Sequence, residues 1–476
     1  MTAELRALPH LSLLNSEQIQ TIHIQALQIL EHTGIRVDSP QILNLLRQRI
    51  GHSAVTDERA HLPAELVEWA IQSAPATIQI FDRLGNPAFL LGDGQPRFGV
   101  GVTALYYIDP FDQDRLIPFN RRHMQDMTRL GANLPGYDMI STIGVLQDEP
   151  PETADLFGTL EMAANTTKPL VLLVSDDRLF SQVLDLLETI TGNLGERPFV
   201  IPYLNPVTPL TLNAGTLDKM QQSIARGLPV IFNSYSMAGM STPIQPAGTL
   251  ALLLAEQWAG LVISQLLKPG APILLGMLPA YFDMQTMISF YDPQSFLINL
   301  ACAEILRHFN LPHSGTSGSG TGWGLDLQSL ESYWINHLLT CLIGGSLAPF
   351  VGDTLGAKAI SPLTVVYVHE IIRQTISLAQ GFALDEAAFS LDEIHQAGPG
   401  GNFLLAPSTL ERFRSAAYTS PIYTRWSLEK WQAQGSPAVS DLLRNYTQNL
   451  LGRLPIPPDH DELMARGLEF IRRVSQ

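Results

Sequence analysis

Leu170-Val-Leu-Leu-Val-Ser175, Phe199-Val-Ile-Pro-Tyr-Leu204 and Val230-Ile-Phe-Asn-Ser-Tyr235 decide the fold. Each is a short apolar run, rich in β-branched and aromatic residues, and each is followed by a longer stretch with helical spacing. The helical stretches are 179–191, 214–226 and 247–267. Outward from these three units the rhythm continues. Apolar runs fall at 138–145, 273–277, 311–313 and 347–351, with helical patterns at 153–166, 294–309 and 327–343. Near-continuous apolar strands that alternate with helices form a parallel sheet with a helical cover. Seven units are visible, and the helix at 364–380 with a strand near Ala388 supplies an eighth. The predicted fold is therefore α/β, a (β/α)8 TIM barrel with an N-terminal helical plus small β region.

Upstream, helical spacing at 16–34, 40–48 and 66–72 precedes short strand patterns at 77–81, 89–91, 98–102 and 105–108, with Gly and Pro between them. The predicted division is 1–120 for this region, packed on the barrel, 121–420 for the barrel and 421–476 for a C-terminal helical extension.

The composition excludes several functions. The chain has 29 Lys+Arg against 45 Asp+Glu, a net charge of −16, which leaves nothing to neutralise nucleic-acid phosphates. With 45% apolar and 16% charged residues it can fill a large core. Cys302 and Cys341 lie in apolar helical patterns and read as inert core thiols in a reducing compartment. His369-Glu-Ile-Ile-Arg373 starts like a zinc-binding helix but has Arg373 where the second histidine belongs, so no metal site is assigned. The start of the chain has no long apolar run, and the apolar stretch 247–267 is interrupted by Glu256, Gln257 and Gln265. A cytoplasmic protein without membrane contact is expected.

Barrel enzymes place their chemistry on the loops after the strands. The expected binding set is Asn205, Tyr235, Tyr281, Phe282, His313, Ser314, Gly315, Trp323 and Asp353. Tyr291 lies near the same loops. Aromatic faces there suit a quaternary ammonium, although tyrosines at strand ends more often simply pack. The glycine-rich stretch 314–324 lacks the lysine and spacing of a phosphate loop and reads as an active-site loop with close backbone approach. No triad or other catalytic group is recognisable.

Several stretches resemble the trimethylamine methyltransferase family. They are Leu14-Asn-Ser-Glu-Gln-Ile19 with Ala26-Leu-Gln-Ile-Leu-Glu-His-Thr-Gly-Ile-Arg-Val37, Asn205-Pro-Val-Thr-Pro-Leu210, and Gly239-Met-Ser-Thr-Pro-Ile-Gln-Pro-Ala-Gly-Thr-Leu-Ala251 with Ala255-Glu256. Pro269-Gly-Ala-Pro-Ile273, Asp326-Leu-Gln328 with Glu331, and Gly398-Pro-Gly-Gly-Asn-Phe-Leu404 continue the match. The resemblance implies a barrel that moves a methyl group from a methylated amine to the Co(I) of a separate corrinoid protein. The cobalamin would be presented by that partner, with no cofactor bound tightly here. The trimethylamine enzymes of the family carry a pyrrolysine in the barrel mouth, whereas this sequence has only standard residues. That directs the reading to quaternary amines, glycine betaine or similar. The family often has His-Thr where Ser408-Thr409 stands here, so no role of that histidine transfers. A betaine carboxylate would need a donor: His313 if protonated, or Asn205 and the backbone amides of 314–320. Two rivals stand beside this reading, a betaine-binding barrel without methyl transfer and a barrel enzyme that acts on another methylated amine without cobalt. Assembly into a homo-oligomer is compatible with the sequence.

Overall fold

In the computed structural model, which describes residues 5–192, 194–315 and 320–475, eight parallel strands close into a (β/α)8 barrel. They are β1 (Arg97–Val100), β2 (Met139–Ser141), β3 (Leu170–Leu172), β4 (Val200–Leu204), β5 (Val230–Ala238), β6 (Ile273–Asp283), β7 (His313–Ser314) and β8 (Leu347–Val351). Each pairs in parallel with its sequence neighbours, and β8 returns to β1, so the sheet has no open edge. The helices that follow the strands are α1 (Arg121–Asn133), α2 (Pro151–Asn165), α3 (Phe180–Thr191), α4 (Ala214–Ala225), α5 (Pro246–Leu267), α6 (Pro293–His308), α7 (Leu327–Leu342) and α8 (Pro362–Ala379). Their starts are written in the sequence. The Asp292 side chain accepts from Ser295 N–H ahead of Pro293, and Asp326 accepts from Ser329 N–H, so both caps satisfy amides the helix cannot.

Strand alternation divides the side chains. Val200, Val230, Phe232, Ile273, Leu275 and their equivalents point outward into the helix-facing cores. Met139, Val171, Ile201, Ile231, Leu274 and Leu347 point inward and pack with Ile78, Ile80 and Leu91. Those last three come from the hairpin Ile78–Phe81/Pro87–Leu91, which plugs the end of the barrel at the strands' N-termini. The opposite end, at the strands' C-termini, is the mouth.

The first and last units differ from expectation. The strand completing the barrel is Arg97–Val100, at the head of the sequence, and not a segment near Ala388, where a 3-10 turn (Ala387–Phe389) lies exposed. The barrel therefore begins inside the stretch expected to form an N-terminal sheet. The cause is the hairpin Tyr106–Asp109/Arg115–Pro118, inserted between β1 and α1, which breaks the strand–helix spacing and makes β1 read as one more short strand. Of that expected sheet, 77–81 and 89–91 became the plug. Among the described residues α5 is the one helix long and apolar enough to cross a membrane, but 83% of its apolar window is buried inside the protein. It carries Trp258 into the core, where the Trp258 indole N–H donates to His23 Nδ1 at 3.1 Å.

Candidate functional site at the barrel mouth

Above the apolar plug the inward positions become polar. On β4 and β5 the inward series is Ile201, Tyr203, Asn205 and Ile231, Asn233, Tyr235. Asn233 is fully buried and ties three strands together. Its Nδ2 donates to Tyr203 Oη at 3.2 Å, its Oδ1 accepts from Ser314 Oγ at 2.9 Å, and its carbonyl accepts from Asn205 Nδ2 at 2.9 Å. Gly276 on β6 leaves room for it, since a Cβ there would overlap Asn233 Oδ1 and approach Ser314 O at 2.5 Å. This set forms a fully bonded polar shelf across the barrel.

Aromatic rings stand on that shelf. A bulge in β8 between Ala348 and Val351 turns Phe350 inward, where it meets Tyr203 edge-on at 4.8 Å. Burial pushes the Tyr203 phenol up to about 12, against the pull of its bonds to Asn233 and Asn205. The Tyr291 phenol is raised further, first by burial and then by Tyr235, Asp353 and Tyr203, so each of these three lies within electrostatic reach of Tyr291. Asp353 is buried just past β8, with Oδ2 accepting from Ala357 N–H at 3.1 Å.

Of the residues expected at the site, Asn205, Tyr235, Ser314 and Asp353 therefore share the mouth. Tyr281 does not. It falls on the outward parity of β6 and packs against the helix-facing core, with Phe290 at 6.2 Å. Phe282 lies past the last pair between β5 and β6, Ala238 with Tyr281, in the hairpin that β6 makes with Ile288–Phe290. His313 also points away, since its neighbour Ser314 takes the inward position. It lines a narrow cleft with Gly315, Phe296 and Asn336, where its Nε2 accepts from Ser346 N–H at 3.3 Å. Burial, then Arg307, lowers it to about 4, so it is neutral and cannot serve as a cation for a carboxylate. Trp323 is 82% exposed.

Within the glycine-rich stretch, residues 316–319 lie outside the described residues. Its described end approaches the protein's own backbone: Leu355 N–H donates to Gly322 O and Gly356 N–H to Gly320 O, both at 3.0 Å. A Cβ at Gly320 would meet Tyr333 Oη and Asp353 O. Here these glycines seat the loop on the turn after Asp353.

Asn233, Tyr203 and Phe350 were not singled out from the sequence. Tyr203 and Asn233 were legible, because counting in twos back from Asn205 and Tyr235 reaches both. Phe350 was not, because it depends on a bulge.

Behind the wall, α5 braces the mouth. Buried Glu256 accepts from Thr208 Oγ1 at 2.8 Å and Leu210 N–H at 2.7 Å, which fixes the Asn205–Leu210 loop. Burial raises its carboxyl, and its hydrogen bonds oppose that. Gln257 accepts from Gly276 N–H at 2.9 Å and donates to Ser234 at 2.8 Å.

Several basic groups on this side are already engaged: Arg121 with Glu149 and Glu161, Arg178 with Asp176, and Lys219 with Asp177. Around the mouth the strand-to-helix loops expose apolar side chains, among them Val207, Met240, Ile244, Met284 and Trp323, and Leu327 at the start of α7 is exposed as well.

A family model described as trimethylamine methyltransferase matches residues 2–475. A trimethylamine methyltransferase of Desulfitobacterium hafniense is 27% identical over 91% of this chain and 89% of its own length. A glycine betaine methyltransferase from another strain of that species is 25% identical over 98% of this chain and 97% of its own. Among solved structures, the monomethylamine methyltransferase of Methanosarcina barkeri shares the fold, with a TM-score of 0.51 and 9% identity over 94% of this chain and 89% of that one.

Proposed function

The chain belongs to the trimethylamine methyltransferase family, and from that premise we propose that it moves a methyl group from a quaternary amine, glycine betaine or similar, to the Co(I) of a separate corrinoid protein. The observation that carries the reading is the mouth itself, with aromatic rings, neutral amides and hydroxyls around one buried carboxylate. The rings of Tyr203, Tyr235, Tyr291 and Phe350 suit an ammonium that bears only methyl groups and offers no N–H. Asp353 adds a negative charge on the same side. A betaine carboxylate is left to neutral donors, with Asn205 nearest to hand, because His313 is neutral and faces away.

The chemistry needs little more. The methyl–nitrogen bond breaks with its electron pair staying on nitrogen, so the leaving group is a neutral tertiary amine and no proton has to be supplied. The methyl carbon forms its new bond to Co(I), whose electron pair makes that bond. The residues' work is then to orient one methyl outward and to exclude water. The exposed apolar rim supports the partner half of the proposal, since such a ring around a site marks a place where another protein seats. Cytoplasmic residence goes with that partner.

Calorimetric titration of glycine betaine tests the ammonium site. Each aromatic face is worth on the order of 0.5–2 kcal/mol, so Tyr235→Ala and Tyr291→Ala are each expected to weaken binding roughly two- to thirtyfold. Tyr235→Phe, which keeps the ring, is expected to bind nearly as wild type does. Equal affinity in all four proteins, or no heat with wild type, would remove the site.

A further inference from the structure

Every polar atom of the shelf has a partner, yet one donor is left over. Tyr203 Oη accepts from Asn233 Nδ2 at 3.2 Å, and the Asn205 amide is a second donor toward the same oxygen. A phenol carries a single O–H besides its lone pairs. With donors on the lone-pair side, the Tyr203 proton has to point elsewhere, and it meets no acceptor among the described residues. The nearest candidates are committed. Asn233 Oδ1 accepts from Ser314 Oγ, and the Asn233 carbonyl accepts from Asn205 Nδ2. Phe350, edge-on to the ring, offers only hydrocarbon. Tyr203 is 6% exposed, so water does not readily take the proton either. A buried donor left unmet is costly, and native proteins seldom keep one without a use.

Its level in the barrel indicates what the proton is for. The bond to Asn233 holds Tyr203 Oη at the floor of the mouth. Tyr235 stands one inward position further along β5, about 7 Å nearer the opening, and Asp353 lies past the end of β8. Both are within electrostatic reach of Tyr291. The negative charge and most of the rings are therefore above, and the spare donor is below. A zwitterion fits that polarity in one direction, with its carboxylate down on the donor and its ammonium up among the rings. The reverse pose would set the carboxylate against Asp353, like charge on like. Asn205 strengthens the floor, because an amide hydrogen given to Oη polarises the O–H and the bond it makes.

We infer that Tyr203 is the specificity-determining residue of the mouth: its O–H holds the carboxylate of a betaine at the floor and so turns the trimethylammonium toward the opening. The inference rests on the quaternary-amine reading and adds to it the end by which the substrate is gripped. Calorimetry on wild type and Tyr203→Phe tests it, each with glycine betaine and with isobutyltrimethylammonium, which has betaine's shape with methyls for the carboxylate oxygens. The substitution is expected to weaken betaine roughly ten- to hundredfold, as loss of a hydrogen bond to a charged group does, and to change the carboxylate-free cation by less than about twofold. An equal loss for both ligands would make Tyr203 a structural member of the shelf and overturn the inference, as would an unchanged betaine affinity. A wild type that binds the cation but not betaine overturns it and leaves the ammonium site standing, whereas binding of neither removes both. If Tyr203→Phe does not fold, the tyrosine difference spectrum of wild type decides. A red shift on betaine that the cation does not produce, as expected of a phenol donating to a carboxylate, supports the inference, and identical spectra overturn it.

Discussion

Alanine in place of Gly276 is expected to abolish ligand binding and to lower stability by about 3 kcal/mol or more. The position does not call for glycine's backbone freedom, because it sits inside a regular strand. It calls for glycine's missing Cβ, which would occupy the space of Asn233 Oδ1 and press on Ser314 O. Asn233 cannot yield without losing its bonds to Tyr203 and Ser314 and the seat of Asn205. Each buried polar group left unmet costs about 1–3 kcal/mol, and the overlap adds strain. Urea unfolding and betaine calorimetry on Gly276→Ala measure both effects. A variant with wild-type stability and affinity would mean that the polar shelf does not set the floor of the site.

A steep loss of stability on acidification is the second large expectation. Burial lowers His313, His337 and His369 to about 4, with Arg307 adding to the effect at His313 and Arg373 and Lys168 at His369. His337 donates from Nδ1 to Tyr333 O, and its buried Nε2 meets no partner among the described residues. The native state thus keeps all three rings neutral, whereas the unfolded chain takes up protons near pH 6.5. Between pH 6.5 and 4 the unfolded state binds more protons, so stability falls as pH falls. Each ring contributes about 3 kcal/mol by pH 4. Together they rival the whole stability of a typical domain, ~5–15 kcal/mol. Burial also raises Glu256, Asp138 and Asp155, and these carboxyls act in the opposite sense, being relieved as they protonate. Thermal melts from pH 7 to 4.5 should show a melting temperature that drops ever faster below pH 6.5. A flat profile would contradict the neutral, buried state of the three histidines.

The barrel was legible because parallel strands buried on both faces have to be apolar throughout, and seven of them announce themselves between Asp138 and Val351. The eighth was hidden because β1 is separated from its helix by a hairpin, so spacing alone assigned it elsewhere. Site residues followed a finer rule. Proximity to a strand end selected Asn205, Tyr235 and Ser314 but equally selected Tyr281 and His313. Strand parity separates them, since Ser314 faces in and His313 therefore faces out. Trp323 obeys neither rule, because its place is set by a loop whose indole is left to solvent. Tyr235 and Asp353 both come within electrostatic reach of Tyr291 because the loops after β6 and β8 converge over the mouth. The relation between Tyr291 and Asp353 joins residues far apart in sequence, and no local pattern encodes it.

The most direct test mixes the chain with a corrinoid protein held in the Co(I) state and glycine betaine, and follows the cobalt absorbance. The expected result is catalytic conversion of Co(I) to methyl-Co(III), with one dimethylglycine formed per methyl transferred and no reaction when either protein is omitted. Heat of betaine binding without any change at cobalt would leave a binding barrel. Demethylated amine formed while Co(I) stays unchanged would mean a different enzyme, and either outcome would contradict methyl transfer to cobalt.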